Sequence, residues 1–288
     1  MKPSGRRPVP PGTESASGPA ADAVVLYDKP AGTTSHDIVA RIRRTLPDQP
    51  AGARRLRVGH AGTLDPFATG LLLILVGRST RVQRYLMALP KRYEVVARLG
   101  WRSCTGDPEG PLEHTGRIPL ADAVLPTGPL LQAPPAYSAV KVDGERAYRR
   151  ARRGEDVRPE PRPVHVHRFL ERWRDGDRAG YVIECSAGTY VRTLIAELGD
   201  AYCLELRRTA IGPFHVADAD PDRPMTLDDA LSFLPRCCID AEHASAAGHG
   251  RGVPGRAEGP VRLVGPDGLV AIAEPRGDLL WPVVGLRP

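Results

Sequence analysis

The stretch that most restricts the fold runs from Gly59 to Val76. Gly59-His60-Ala61-Gly62-Thr63-Leu64-Asp65-Pro66-Phe67-Ala68-Thr69-Gly70 packs three glycines and a proline into twelve residues. That density implies a tightly shaped loop, because glycine opens φ values closed to other residues and proline locks its own. The next six residues, Leu71 to Val76, are all apolar and read as a strand. One carboxylate, Asp65, sits in the middle of the loop. At this point it can be read as a turn residue accepting hydrogen bonds from nearby backbone N–H groups, or as a functional acid. The loop lacks Gly-Lys-Ser/Thr, so it is not a phosphate-binding P-loop.

The run Gly70 to Val76 is also the longest apolar one, far short of the ~20 residues of a spanning helix, so no membrane partner is expected. Hydrophobic residues make up 41% and charged residues 26%, which excludes collagen-like and wholly disordered classes. The 288 residues suit two domains, or one large domain with an appendage. Net charge is +6, from 40 Lys+Arg against 34 Asp+Glu. Only Lys2, Lys29, Lys91 and Lys141 are lysines, so the basic excess is arginine. It reads either as compositional bias or as a weak pointer to a polyanion. The five cysteines are odd in number and none has C-x-x-C spacing, so neither a metal site nor a disulfide framework is expected. Residues 1–22 read as a disordered basic tail without an apolar signal core, which points to a reducing, cytoplasmic protein.

Along the chain, Ala23–Tyr27 reads as a strand. Ser35 reads as the N-cap of a helix to Leu46, with Ile38, Val39 and Ile42 inward. A loop is expected over 47–57 and a helix over Ser79–Leu89. Tyr93, Val95, Ala97 and Leu99 alternate with Arg92, Glu94, Val96 and Arg98, the period of a strand. Further strands fit 138–142, 164–173, 180–185 and 204–210, with helices at 189–201 and 227–234. Residues 241–259 read as a linker, followed by three short strands within 261–284. Strands and helices do not alternate strictly, so the expected class is α+β with a mixed or antiparallel sheet.

The Gly59–Gly70 stretch closely resembles the catalytic motif of bacterial tRNA pseudouridine-55 synthases of the TruB type. Further blocks match in order: Asp28-Lys29-Pro30-Ala31-Gly32-Thr33-Thr34-Ser35, Lys91-Arg92-Tyr93-Glu94-Val95, Pro134-Pro135-Ala136-Tyr137-Ser138-Ala139-Val140-Lys141, Gly188-Thr189-Tyr190-Val191-Arg192-Thr193 and Leu206-Arg207-Arg208-Thr209. The resemblance covers about residues 23–235 and implies the pseudouridine synthase fold. It also implies isomerisation of uridine 55 in the tRNA T loop: the N1–C1′ bond breaks, uracil turns, and C5 joins C1′. No cofactor or metal is implied, and the expected partner is the T arm of tRNA, bound by a monomer.

The resemblance also assigns roles. Asp65 is the essential carboxylate, as nucleophile or as base at the ribose. Tyr93 stacks on the target base and is a candidate for assisting at C5. Arg192 is the ion-pair partner of Asp65. His60 fills the space left by the flipped uridine, and Tyr190 and Leu206 wall the pocket. Lys29, with Pro30, supports the loop. RNA contact is expected from Lys141, from the cluster Arg146, Arg149, Arg150 and Arg153 in an inserted element over about 137–162, and from Arg207 and Arg208. The expected layout is a catalytic domain over 23–240, then a linker and small C-terminal β domain of PUA-like type over 241–288. Three departures stand out: Cys104 replaces a usual aspartate, 198–206 is shortened, which loosens the register of Leu206, and the C-terminal domain is short. Two other readings remain at this stage: a non-catalytic RNA-binding or tRNA-folding protein on the same fold, and a synthase acting on another RNA.

Overall fold

The computed structural model describes residues 22–47, 55–121 and 124–287. The tail expected over 1–22 therefore lies outside the described residues except for Asp22, as does most of the 47–57 loop. Asp22 accepts hydrogen bonds from the Arg78 backbone N–H at 2.5 Å and from its Nε at 2.7 Å.

Among the described residues the main sheet has ten strands. Its path runs Met225–Thr226, Ala23–Lys29, Thr69–Val76, Ala201–Ile211, Lys91–Leu99, Arg178–Cys185, Arg162–Asp175 and Gly128–Gln132. Val58–His60 pairs beside Thr69–Val76, and Phe214–His215 beside Ala201–Ile211. All neighbours on the path are antiparallel except Thr69–Val76 with Ala201–Ile211, which are parallel. The sheet is thus mixed, as the class requires. Leu71 to Val76 are wholly buried because apolar clusters cover both faces of their strand. The alternation through 91–99 holds: Tyr93, Val95, Ala97 and Leu99 face the core with Ile183, Leu194 and Ile195.

Several elements differ from expectation. The first helix is Ser35–Thr45, and its N-cap is Thr34, closed by a capping box with Asp37. Ser35 is freed for a contact described below. Residues 79–89 divide into a 3-10 turn, Gly77–Val82, and a helix, Gln83–Ala88. The helix expected over 189–201 is only Val191–Ala196, because the chain turns into the long strand beginning at Ala201. The expected linker begins with a helix, Ala241–Gly248, capped by the Asp240 side chain, with Ala244 and Ala247 buried against the second sheet.

That second sheet has, among the described residues, five strands in the order Arg236–Cys238, Val261–Gly265, Gly268–Arg276, Leu279–Gly285 and Val253–Pro254. It starts before residue 241, since Arg236–Cys238 pairs in parallel with Val261–Gly265. It is not loosely appended. Ile272 and Leu286 are buried in the same cluster as Leu71, Val82 and Leu86. Arg81 donates to Gly285 O at 2.8 Å, and Arg84 pairs with Glu274 at 3.0 Å. No helix among the described residues is long and apolar enough to cross a membrane.

Candidate active site

The Asp65 loop is held along its length by the elements around it. Arg208, 1% exposed, reaches under it from Ala201–Ile211. It donates through Nη2 to Gly62 O at 3.0 Å, through Nη1 to Thr63 O at 3.3 Å, and through Nε to Leu71 O at 2.7 Å. Ser35, on the first helix, exchanges hydrogen bonds with both backbone groups of Leu64, at 2.9 and 3.1 Å. Lys29, wholly buried, donates through Nζ to Pro30 O and Thr33 O at 2.8 Å and to Pro66 O at 3.2 Å. The Gly32 N–H donates to the same Pro66 carbonyl at 2.9 Å. The residues on both sides of Asp65 are thereby fixed, which explains why the 28–35 block accompanies the loop. Gly70 closes the arrangement at the parallel joint, with φ of +105°. A Cβ there would stand 2.2 Å from Arg208 O, so only glycine fits.

The carboxylate meets its cation at the floor. Arg192 Nε lies 2.9 Å from Asp65 Oδ2, and the Arg192 side chain is 4% exposed. The guanidinium is nearly saturated, since Nη1 also pairs with Asp107 Oδ2 at 3.0 Å and Nη2 donates to Tyr137 O at 2.9 Å. It therefore has little freedom to turn away. Burial pushes the Asp65 carboxyl above the usual carboxylate range. Arg192 opposes that rise, and Asp107 adds to it. The Asp65 side chain is 35% exposed and opens on the cleft, whereas Asp107 at 6% does not.

The cleft has a volume of about 910 Å³ and is lined by His60, Asp65, Tyr93, Tyr190, Arg192 and Leu206, among others. That is the size class of small-ligand sites. Tyr93 stands opposite Arg208 in the strand register, and Leu206 opposite Val95. Burial raises the Tyr93 hydroxyl, with Arg208 pulling the other way, and burial raises Tyr190 too. Both phenols are therefore neutral at ordinary pH. Tyr190 stands at the N-cap position of the helix carrying Arg192, and its backbone is gripped at N and O by Gln132, at 2.7 and 3.1 Å. Burial, helped by Arg208 and His36, lowers His60, so its imidazole is uncharged. Its Nδ1 is buried with no hydrogen-bond partner among the described residues.

A family model described as the TruB family pseudouridylate synthase N-terminal domain matches residues 50–191. The tRNA pseudouridine synthase B of Thermobifida fusca (strain YX) is 42% identical over 299 aligned residues, covering 92% of this chain and 98% of that protein. The protein of the same name from Mycobacterium tuberculosis (strain ATCC 25618 / H37Rv) is 40% identical, covering 92% of each. This chain belongs to the TruB family of pseudouridine synthases. The fold agrees. A chain from the crystal structure of a Cbf5-Nop10-Gar1 complex superposes with a TM-score of 0.68 at 23% identity, covering 95% of this chain and 86% of that one. A chain from an H/ACA RNP bound to a substrate RNA containing 2′-deoxyuridine gives 0.66 at 21% identity, with coverage of 92% and 85%.

The cations assigned to RNA in this TruB-family chain fall into three groups. Arg208 departs from expectation, because its buried guanidinium is occupied by loop carbonyls and shapes the loop from beneath. Arg207 points away from Arg208 and pairs with Asp28 at 2.6 Å, beside Phe67 and Thr69 on the far side of the loop. In the insertion, Lys141 and Arg146 line the cleft and Arg149 is exposed. Arg150 and Arg153, however, are tied into ion pairs with Asp143, Glu145 and Glu155. The sequence reading missed Asp107, Gln132 and the role of Ser35. Asp107 lies three residues after Cys104, the position already marked as a departure, and that was the available signal. Gln132 left none. Among the described residues no group of three or more His, Cys, Asp or Glu is placed to hold a metal.

Proposed function

We propose that this chain isomerises uridine 55 in the T loop of tRNA to pseudouridine, acting without a cofactor as a cytoplasmic monomer. The observation that carries the reading is that Asp65, the one carboxylate among the described residues lining the cleft, is ion-paired at 2.9 Å to a buried arginine. The TruB-family relatives, named as tRNA pseudouridine synthases, support the choice of tRNA.

The uridine leaves the T-loop stack at a cost of a few kcal/mol. Neutral rings of Tyr93 and Tyr190 and the Leu206 side chain give its base an apolar seat. His60, uncharged and with a free ring nitrogen, stands at the cleft wall where the vacated stack needs filling. Asp65 then acts at the ribose, as nucleophile at C1′ or as base. Arg192 opposes the burial that would protonate it. The N1–C1′ bond breaks, uracil turns, C5 bonds to C1′, C5 loses its proton, and N1 gains one. A glycoside hydrolase uses two carboxylates facing the bond. Here Asp107 is turned away behind Arg192, which suits an internal transfer with one acid. The raised Tyr93 hydroxyl suits stacking and hydrogen bonding better than service as an anionic base.

The test uses unmodified tRNA transcripts incubated with the chain. Pseudouridine is then mapped by carbodiimide adducts that stop reverse transcription. A single new stop at position 55 is expected. Binding without any stop would favour the tRNA-folding reading, and stops only elsewhere would exclude position 55.

A further inference from the structure

The insertion following Tyr137 is a hairpin, Lys141–Val142 with Glu145–Arg146, running directly into the helix Ala147–Arg152. Its arginines are not equivalent. Arg150 Nη1 pairs with Asp143 at 2.8 Å and its Nε with Glu155 at 2.7 Å. Arg153 forms a two-pronged pair with Glu145 at 2.7 and 2.8 Å and reaches Glu155 at 2.7 Å. Two guanidinium groups are thus held by three carboxylates, drawn from the hairpin turn, the hairpin strand and the chain beyond the helix. Hydrogen bonds from Arg153 and Arg150 hold the Glu145 and Glu155 carboxyls below their ordinary range. A phosphate approaching Arg150 or Arg153 must displace a carboxylate from a planar fork.

Arg149 and Arg152 differ. Both are exposed, and among the described residues neither makes an ion pair with an acid. Both guanidinium carbons lie over the Tyr148 ring, at 6.0 and 5.5 Å from its centre. Stacking on the ring limits their rotamers without neutralising them. Two pre-oriented, unpaired cations around an aromatic ring match the needs of an RNA strand, whose phosphates and base faces alternate.

Building on the tRNA reading above, we propose that Arg150 and Arg153 are positioning residues forming an internal strut, and that Arg149, Arg152 and Tyr148 are the RNA-contacting face of the insertion. The strut ties the hairpin to the helix and fixes the angle at which that face, and the cleft-lining Lys141 and Arg146, meet the nucleic acid.

Binding of a fluorescently labelled full-length tRNA transcript to the full chain, measured across a salt series, separates the two roles. Arg149→Gln with Arg152→Gln should weaken binding and lower the slope of log Kd against log salt by about 2, roughly one phosphate contact per arginine. Arg153→Glu should weaken binding by tenfold or more. Adding Glu145→Arg to it reverses the polarity of that pair and should restore affinity to within about twofold, with the parent salt slope. A direct phosphate contact at Arg153 would not be restored, so lack of rescue overturns the strut. An unchanged slope in the Arg149/Arg152 variant overturns the contact face. If the parent chain binds no tRNA, the tRNA reading falls and the proposal with it, whereas parent binding without rescue overturns the strut alone.

Discussion

Replacing Lys29 with methionine tests whether the candidate site is built by the turn that precedes it. The side chain is wholly buried, and its ammonium group donates to Pro30 O, Thr33 O and Pro66 O. Hydrogen bonds from a charged donor contribute ~1.5–3 kcal/mol each, so three give about 6 kcal/mol. Against this, burial brings the Lys29 ammonium down from 10.5 to about 8. At ~1.36 kcal/mol per pKa unit, the buried charge costs about 3 kcal/mol. Lys29→Met, close in length, should therefore destabilise the chain by about 3 kcal/mol at pH 7. The pH dependence carries a sign. The folded pKa lies below the unfolded one, so between about pH 8 and 10.5 the unfolded state holds the extra proton. Stability from this group is then lowest below pH 8 and rises with pH across that window. The gap between parent and variant should widen by about 3 kcal/mol toward pH 10.5, by the same ~1.36 kcal/mol per unit. Lys91, also brought down to about 8 by burial, is present in both proteins and cancels. Urea unfolding at pH 7, 8.5 and 10 measures the gap. A gap below about 1 kcal/mol at pH 7, small beside one charged hydrogen bond, would refute the pinning of the loop by Lys29. A gap that narrows with pH would refute its burial as a charged group.

Two further outcomes follow from the same geometry. Gly70→Ala places a methyl group against Arg208 O at a φ of +105°, so thermal unfolding should show a large loss of stability or no folded protein; a melting temperature near that of the parent contradicts the close approach. Arg192→Gln removes the charge that opposes burial at Asp65, so residual activity should fall off at higher pH on the acid side than in the parent. An acid limb that stays in place in kcat/KM against pH would show that Arg192 does not hold Asp65 ionised.

The Gly59–Gly70 loop, the alternating strand at 91–99 and the apolar run into Val76 were legible because each imposes local rules: glycine and proline density, period two, continuous burial. The pairing of Asp65 with Arg192 came from ordered motifs, since nothing local links residues more than a hundred apart. What escaped was also physical. The arginines at 146–153 looked unpaired because the acids that bind two of them, Asp143, Glu145 and Glu155, lie just outside that window and return only through the hairpin. Arg208 looked like a surface cation in a basic dipeptide, but strand alternation sends it beneath the loop and Arg207 to the other side. The helix Ala241–Gly248 was hidden by its Gly/Ala composition, and it forms because Ala244 and Ala247 pack on the second sheet. Gln132 acts through the backbone of Tyr190, a contact between a strand and a distant helix start that no motif announces.

The most direct test of the central claim is tritium release from a T-arm RNA labelled at C5 of uridine. The parent chain should release the label, and Asp65→Ala should release none while binding the RNA with near-parent affinity. Release by the Asp65 variant, or a parent that binds without releasing, would contradict the assignment of this carboxylate.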